Sequence, residues 1–251
     1  LSIRVRHGKP NALSGDSLQS GPGILAHMDE PLLDAIEINP ACSATAAIIW
    51  LHGLGADGHD FEPLIPQLGI VEALGVRVLL PHAPRLPVTV NGGMVMPAWY
   101  DIRGPDFGQA EDADGIHASA RRLEALIERE TARGISTERI VLAGFSQGGA
   151  IALHTGLRHA ERLGGILALS TYLPLAESLP DERSVANANI PIMQAHGQQD
   201  PLIPMALASA SRDRLQALGY RVDWRTYPMP HAVCPAEVVD IRDWLTTVLR
   251  D

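Results

Sequence analysis

The run Arg139-Ile-Val-Leu-Ala-Gly-Phe-Ser-Gln-Gly-Gly-Ala-Ile-Ala-Leu153 admits few backbones. Ile140–Ala143 is a short continuous apolar stretch of the kind found in strands buried on both faces. From about Gln147 the pattern becomes helical. Between the two lies Gly144-Phe-Ser-Gln-Gly148, a G-x-S-x-G in the strand-to-helix setting that the pattern requires. A turn this tight pushes its central serine toward backbone angles that L-residues avoid. The flanking glycines remove Cβ atoms that would collide there. The predicted result is a Ser146 hydroxyl held clear at the carboxyl end of a sheet. The N-terminus of a helix lies behind it and presents free N–H groups to a developing anion. An inert serine in a tight turn would need neither the strand before, nor the helix after, nor Gly149.

The rest of the chain repeats this alternation. Strands are expected at 46–51, 76–80, 140–143, 165–169 and 190–195, with Pro191 near the start of the last. Residues 221–227 alternate polar and apolar, as a strand nearer an edge does. Ile116, Ala120, Leu123 and Ile127 keep helical spacing, and Gly134 follows as a C-cap. Leu207, Ser211, Leu215 and Leu218 repeat it before Gly219. Val238, Ile241, Leu245 and Val248 mark a last helix with Pro235 in its first turn. Strands alternating with helices mean an α/β fold, a mostly parallel sheet flanked by helices on both faces. Ligands of such sheets bind beyond the carboxyl ends of the strands.

Residues 1–27 differ from this body. They are rich in Gly, Ser, Pro and Asn and carry Arg4, Arg6 and Lys9 against Asp16, in a chain of net charge −9. They are expected to form a flexible extension or leader, with residues 28–251 as a single domain. The acidic balance disfavours nucleic acid and anionic membranes as partners. No apolar run approaches the ~18 residues of a membrane span. No secretory signal is recognisable, so no stable membrane insertion is expected and the cytoplasm is the default location. Cys42 and Cys234 are too few for a disulfide framework and read as idle or buried thiols. No metal site is expected, for want of HExxH, a paired CxxC or a carboxylate cluster.

A serine hydroxyl attacks only when a base takes its proton. Among the histidines after Ser146, His154 and His159 fall on the following helix, facing away from its tip, and His196 ends a strand. His231 sits in the proline-bracketed loop Tyr227-Pro-Met-Pro-His-Ala-Val-Cys-Pro235, which can hang an imidazole over the sheet edge. The base in turn needs an acid to set its tautomer. Asp213 falls within a helix, Asp223 on a strand and Asp181 in a loop before a strand. Asp200, in His196-Gly-Gln-Gln-Asp-Pro-Leu-Ile-Pro204, follows the carboxyl end of a buried strand and is the chosen acid. Oxyanion donors are expected at the backbone N–H of Gln147, next to the serine, and of Leu54, in Trp50-Leu-His-Gly-Leu-Gly-Ala-Asp-Gly58. Gly53-x-Gly55-x-x-Gly58 also matches a dinucleotide loop formally. Pro63 and Pro66 would spoil the helix that must follow, and no acidic residue ends a second strand at the required distance.

Four separated segments now resemble one family. Leu51–Gly58, Gly144–Gly149, His196–Pro204 and Met229–Pro235, with Asn91–Ile102, are similar to the carboxylesterase and acyl-protein thioesterase branch of the α/β-hydrolases. The resemblance begins at about Leu33 and reaches the C-terminus. It implies an α/β-hydrolase fold without a large lid domain, a Ser146–His231–Asp200 triad, and Leu54 and Gln147 as backbone donors. It also implies no cofactor, a small acyl ester or thioester as substrate, a preference for short to medium acyl chains, and a tendency to homodimerise. Acyl-protein thioesterase or lysophospholipase activity is the alternative within the family, and a non-catalytic binding protein the alternative outside it. The stretch between Pro84 and Gly108 reads as a long loop, unusually apolar at Val88, Val90, Met94, Val95, Met96 and Trp99, and is expected to wall the acyl groove, Met94, Met96 and Trp99 in particular, with Leu173 and Leu175 as weaker contributors.

Overall fold

The apolar runs are strands because each meets a neighbour on both sides of a sheet and a helix layer on both faces. In the computed structural model, which describes residues 32–104 and 111–250, the strands are β1 (Ala35–Ile38), β2 (Ala46–Leu51), β3 (Val76–Pro81), β4 (Arg85–Val88), β5 (Met94–Pro97), β6 (Ile140–Phe145), β7 (Gly165–Leu169), β8 (Ile192–Gly197) and β9 (Val222–Tyr227). Helices α1 (Ile65–Leu68), α2 (Ile70–Leu74), α3 (Ala113–Ala132), α4 (Gln147–Arg158), α5 (Leu179–Glu182), α6 (Met205–Ala217) and α7 (Pro235–Arg250) lie between and after them. The main sheet runs β1-β3-β2-β6-β7-β8-β9; only β1 pairs antiparallel, and β9 forms an edge, as its alternation predicts. Pro31–Asp251 make up one compact unit, and the extension expected over residues 1–27 lies outside the described residues.

Period-two alternation divides each strand between two cores. On β2, Ala47, Ile49 and Leu51 face one core with Ile116 and Leu123 of α3, Ala150 and Leu153 of α4 and Leu215 of α6. Ala46, Ile48 and Trp50 face the other with Leu68 of α1, Ile70 of α2 and Ile241 and Leu245 of α7. All six β2 residues are buried, which is why the strand shows no polar face in sequence. No helix among the described residues is long and apolar enough to cross a membrane.

Three details depart from the sequence reading. The strand expected at 190–195 starts after Pro191, which lacks an N–H for the ladder, and extends to Gly197, so His196 lies inside it. The four-residue edge strand β1 is too short to show periodicity. The stretch from Pro84 holds an antiparallel hairpin, β4 paired with β5 from Arg85–Pro97 to Val88–Met94, where a loop was expected. Pro87 and Pro97 mask it, and they are tolerated because each strand of a two-stranded sheet has a free edge.

Glu237, in the first turn of α7, is fully buried and neither carboxyl oxygen has a well-formed hydrogen bond. Burial pushes its pKa from 4.5 up to about 8; the Cys234 backbone offsets part of this and Asp240 adds to it. The folded protein therefore keeps a proton that the unfolded chain releases, so stability falls as pH rises through this window and levels off above it. Glu237→Gln removes that dependence. The difference in Tm between the variant and the parent should widen, in the variant's favour, from about pH 5 to about pH 8. A difference in calorimetric Tm that stays constant over that range would count against it.

Candidate active site

Ser146 adopts φ 55° and ψ −121° at the junction of β6 and α4, a region costing a non-glycine residue about 1–3 kcal/mol. Close backbone approach enforces that conformation. A Cβ on Gly144 would overlap the Gly148 carbonyl, and one on Gly148 would strike the carbonyl oxygens of Leu51 and His52. The Ser146 N–H donates to Leu169 O at 2.8 Å, and its carbonyl accepts from Thr171 Oγ1 at 2.7 Å. The serine is thus pinned between the ends of β2 and β7.

Asp200 and His231 come from the loops after β8 and β9. The buried Asp200 carboxylate accepts the N–H groups of Leu202 and Ile203 on Oδ1, both at 2.9 Å, and His231 Nδ1 on Oδ2 at 2.6 Å. A carboxylate only accepts, so Nδ1 carries a proton, and in the neutral ring Nε2 is left as a bare acceptor. The Phe145 ring packs on the imidazole with centroids 4.6 Å apart. Backbone bonds join the two loops: Gln198 N–H donates to Tyr227 O at 2.8 Å and Gln199 N–H to Met229 O at 3.1 Å. Gly197 permits this contact, because a Cβ there would run into the Met229 and Pro230 carbonyls.

Gln147 opens α4, so its N–H has no acceptor within the helix. Its buried side chain receives the Trp99 N–H at 2.8 Å and donates to Tyr100 O at 2.7 Å, fixing the chain beyond β5 to the serine turn. Beside Ser146, Gly53 brings the Leu54 loop so close that a Cβ would stand 3.4 Å from the serine Cβ. Gly55 N–H is tied to Pro97 O at 2.8 Å. His52 fastens the base of this loop: Nδ1 donates to Gly53 O at 2.7 Å and Nε2 accepts Ala83 N–H at 3.1 Å. Burial lowers its pKa, consistent with this neutral arrangement. The dinucleotide alternative fails locally, since Gly58–Asp60 is a single 3-10 turn with no long helix after it.

A cavity of about 410 Å³ opens at Ser146, and Leu54, Gln147 and His231 line it too. Its apolar wall comes from Val90, Tyr100, Ile102, Phe145, Tyr172, Leu202 and Ile203. Of these only Val90 belongs to the apolar residues singled out in sequence. Met94, Met96, Trp99, Leu173 and Leu175 are not on this wall. Trp99 is 1% exposed, its indole N–H donating to His52 O at 2.9 Å and its carbonyl accepting from Ser119 Oγ. Leu173 is buried in the core, with Leu175 packed against it. Met94 stands exposed on the hairpin, and Met96 sulfur accepts from Asn91 Nδ2 at 3.3 Å. Tyr100 and Tyr172 share a hydroxyl–hydroxyl bond of 2.9 Å, and burial raises both pKa values.

Among the described residues, Asp57, His59 and His82 bring candidate metal-ligating atoms within 4.8 Å of one another. The same three side chains make protein bonds: His59 Nδ1 meets Asp57 Oδ1 at 2.9 Å, and His82 Nδ1 accepts Gly58 N–H at 3.1 Å. The pairing of His82 with Gly58 braces the same loop that presents Leu54. Away from the cavity, His154 is buried on α4 with its pKa lowered to about 3, chiefly by burial, and His159 Nδ1 bonds Glu124 at 2.6 Å.

A family model described as Phospholipase/Carboxylesterase matches residues 34–249. The chain is 41% identical over 216 residues to acyl-protein thioesterase 1 of Gibberella zeae, spanning 82% of this chain and 92% of that protein. To acyl-protein thioesterase 1 of Neurospora crassa it is 43% identical over 213 residues, spanning 80% and 86%. Among solved structures, Zea mays acyl-protein thioesterase 2 superposes with TM-score 0.78 at 29% identity, covering 86% of this chain and 99% of that one. Arabidopsis thaliana SOBER1 gives TM-score 0.77 at 30% identity, covering 82% and 99%.

Gly197→Ala should displace the His231 loop while leaving the cavity wall intact. The expected outcome is a fall in kcat of roughly tenfold to a hundredfold with KM within about threefold. Steady-state hydrolysis of a chromogenic ester by folded variant checks it, and an unchanged kcat would contradict it.

Proposed function

The chain belongs to the phospholipase/carboxylesterase family of ester and thioester hydrolases, and from that premise we propose that it works by serine acyl transfer through Ser146, His231 and Asp200. The observation that carries this reading is the 2.6 Å bond from His231 Nδ1 to Asp200, with His231 and Ser146 lining the same cavity. His231 Nε2 takes the serine proton as Oγ attacks the acyl carbonyl. The carbonyl oxygen gathers the negative charge between the N–H groups of Leu54 and Gln147. Each such donor is typically worth about 3 kcal/mol in the transition state. As the tetrahedral intermediate collapses, His231 protonates the departing alcohol or thiol. Water then attacks the acyl-serine and gives its proton to His231; the C–Oγ bond breaks and the proton returns to Oγ.

The acyl chain occupies the wall formed by Val90, Tyr100, Ile102, Leu202 and Ile203, and its size favours short to medium chains. Val90 is 45% and Leu202 61% exposed, so the mouth is open to solvent and a bulky leaving group can remain outside it. That opening, with the acyl-protein thioesterases among the relatives, favours a second reading for the substrate: an acyl thioester on a protein cysteine.

A fluorophosphonate should label Ser146 stoichiometrically. Ser146→Ala should abolish labelling and reduce hydrolysis by about a thousandfold or more. Labelling that survives in Ser146→Ala would refute the nucleophile. Ile102→Trp tests the wall: kcat/KM for octanoyl esters and thioesters should fall about tenfold, with acetyl substrates within about twofold. Equal losses across the chain-length series would remove Ile102 from the acyl site.

A further inference from the structure

We infer that His196 is a positioning residue for the acid of the triad, acting through the loop that carries Asp200. This rests on the reading of Ser146, His231 and Asp200 proposed above. His196 lies inside β8, wholly buried, one residue before the Gly197 that admits the His231 loop. Its Nε2 is 2.9 Å from Ile203 O and 3.6 Å from Asp200 Oδ2. A carbonyl oxygen can only accept, so Nε2 carries a proton. That bond closes the segment from His196 to Ile203 on itself, and this segment supplies both backbone N–H groups that hold Asp200 Oδ1. Oδ2, the oxygen that receives His231 Nδ1, lies 3.6 Å from the same nitrogen, beyond a hydrogen bond, so His196 acts on the carboxylate through the loop it closes and through the field of its N–H dipole.

The other ring nitrogen fixes the charge state. His196 Nδ1 is buried and has no hydrogen-bond partner. In a cationic ring that atom would be an unpaired buried donor, which is costly; in the neutral Nε2–H tautomer it is a bare lone pair. Burial outweighs the pull of Ile203 O and of Asp200 and keeps the pKa below its ordinary value, and His231 lowers it further. The acid loop is therefore held by a ring that stays neutral while the nearby His231 gains and loses protons. A lysine or arginine here would supply a donor but would also neutralise Asp200 and weaken its hold on His231. A neutral donor in a buried position avoids that conflict.

Two measurements test this. In the unaltered protein, ¹⁵N-histidine NMR should report His196 as the neutral Nε2–H tautomer throughout about pH 5 to 9. A His196 that titrates in that range, or carries its proton on Nδ1, overturns the proposal whether or not any variant folds. In folded His196→Phe, kcat should fall roughly tenfold to a hundredfold with KM within about threefold. The downfield proton resonance of the His231–Asp200 bond should shift or broaden, and His196→Asn, which restores an N–H donor, should recover part of both. A folded His196→Phe with parental kcat and an unmoved resonance also overturns it. If Asp200→Asn retains full activity, the triad reading fails instead, and the tautomer of His196 is still read independently.

Discussion

The architecture of the site depends on one backbone constraint, the positive φ of Ser146 where β6 turns into α4. An L-residue does not hold that conformation unaided. It is held by carbonyl groups packed where side chains would otherwise be, with Gly144 against Gly148 and Gly148 against the end of β2. Hydrogen bonds to Leu169 O and from Thr171 Oγ1 then lock the turn to β7. The glycines are therefore load points between neighbouring strands as much as sources of flexibility. One strained residue is affordable because three parallel strands, β2, β6 and β7, converge on it.

Around that turn the protein buries polar groups and satisfies most of them with neutral partners. Gln147 uses its amide to clamp Trp99 and Tyr100. His52 donates from one ring nitrogen and accepts on the other, bridging the Leu54 loop to the chain just after β3. Each works uncharged, so neither competes with the one charge that the proposed chemistry needs, the carboxylate of Asp200. Neutral bonds are individually modest, about 1 kcal/mol. Their value here is geometric, since donors that shift by even about 1 Å lose much of their effect on a transition state.

The elements of the site were largely legible in sequence for a local reason. Tight turns at strand ends demand particular residue types, so G-x-S-x-G, the glycines after β2, and the Asp200 loop after β8 announce themselves within a few residues. The family resemblance adds to this because four such segments occur in one order. The cavity wall was not legible. Between Pro84 and Gly108 every apolar residue seemed equally suited to the groove. Trp99 turned out to be a core spine and Met94 an exposed hairpin residue, while Tyr100 and Ile102 face the cavity. Likewise the hydrogen bonds of Gln147 reach residues 47 and 48 positions away, and no local pattern reports them.

By itself the sequence determined that strands and helices alternate, that a serine must project from a strand-to-helix turn, and which loops can supply its partners. These follow from steric limits on φ and from periodicity, both properties of neighbouring residues. Only the tertiary structure decided which side chains face the cavity and how the Asp200 loop is braced. Those outcomes depend on pairing between segments far apart in the chain, where burial of one face and satisfaction of buried donors choose among orientations that the local sequence leaves equal.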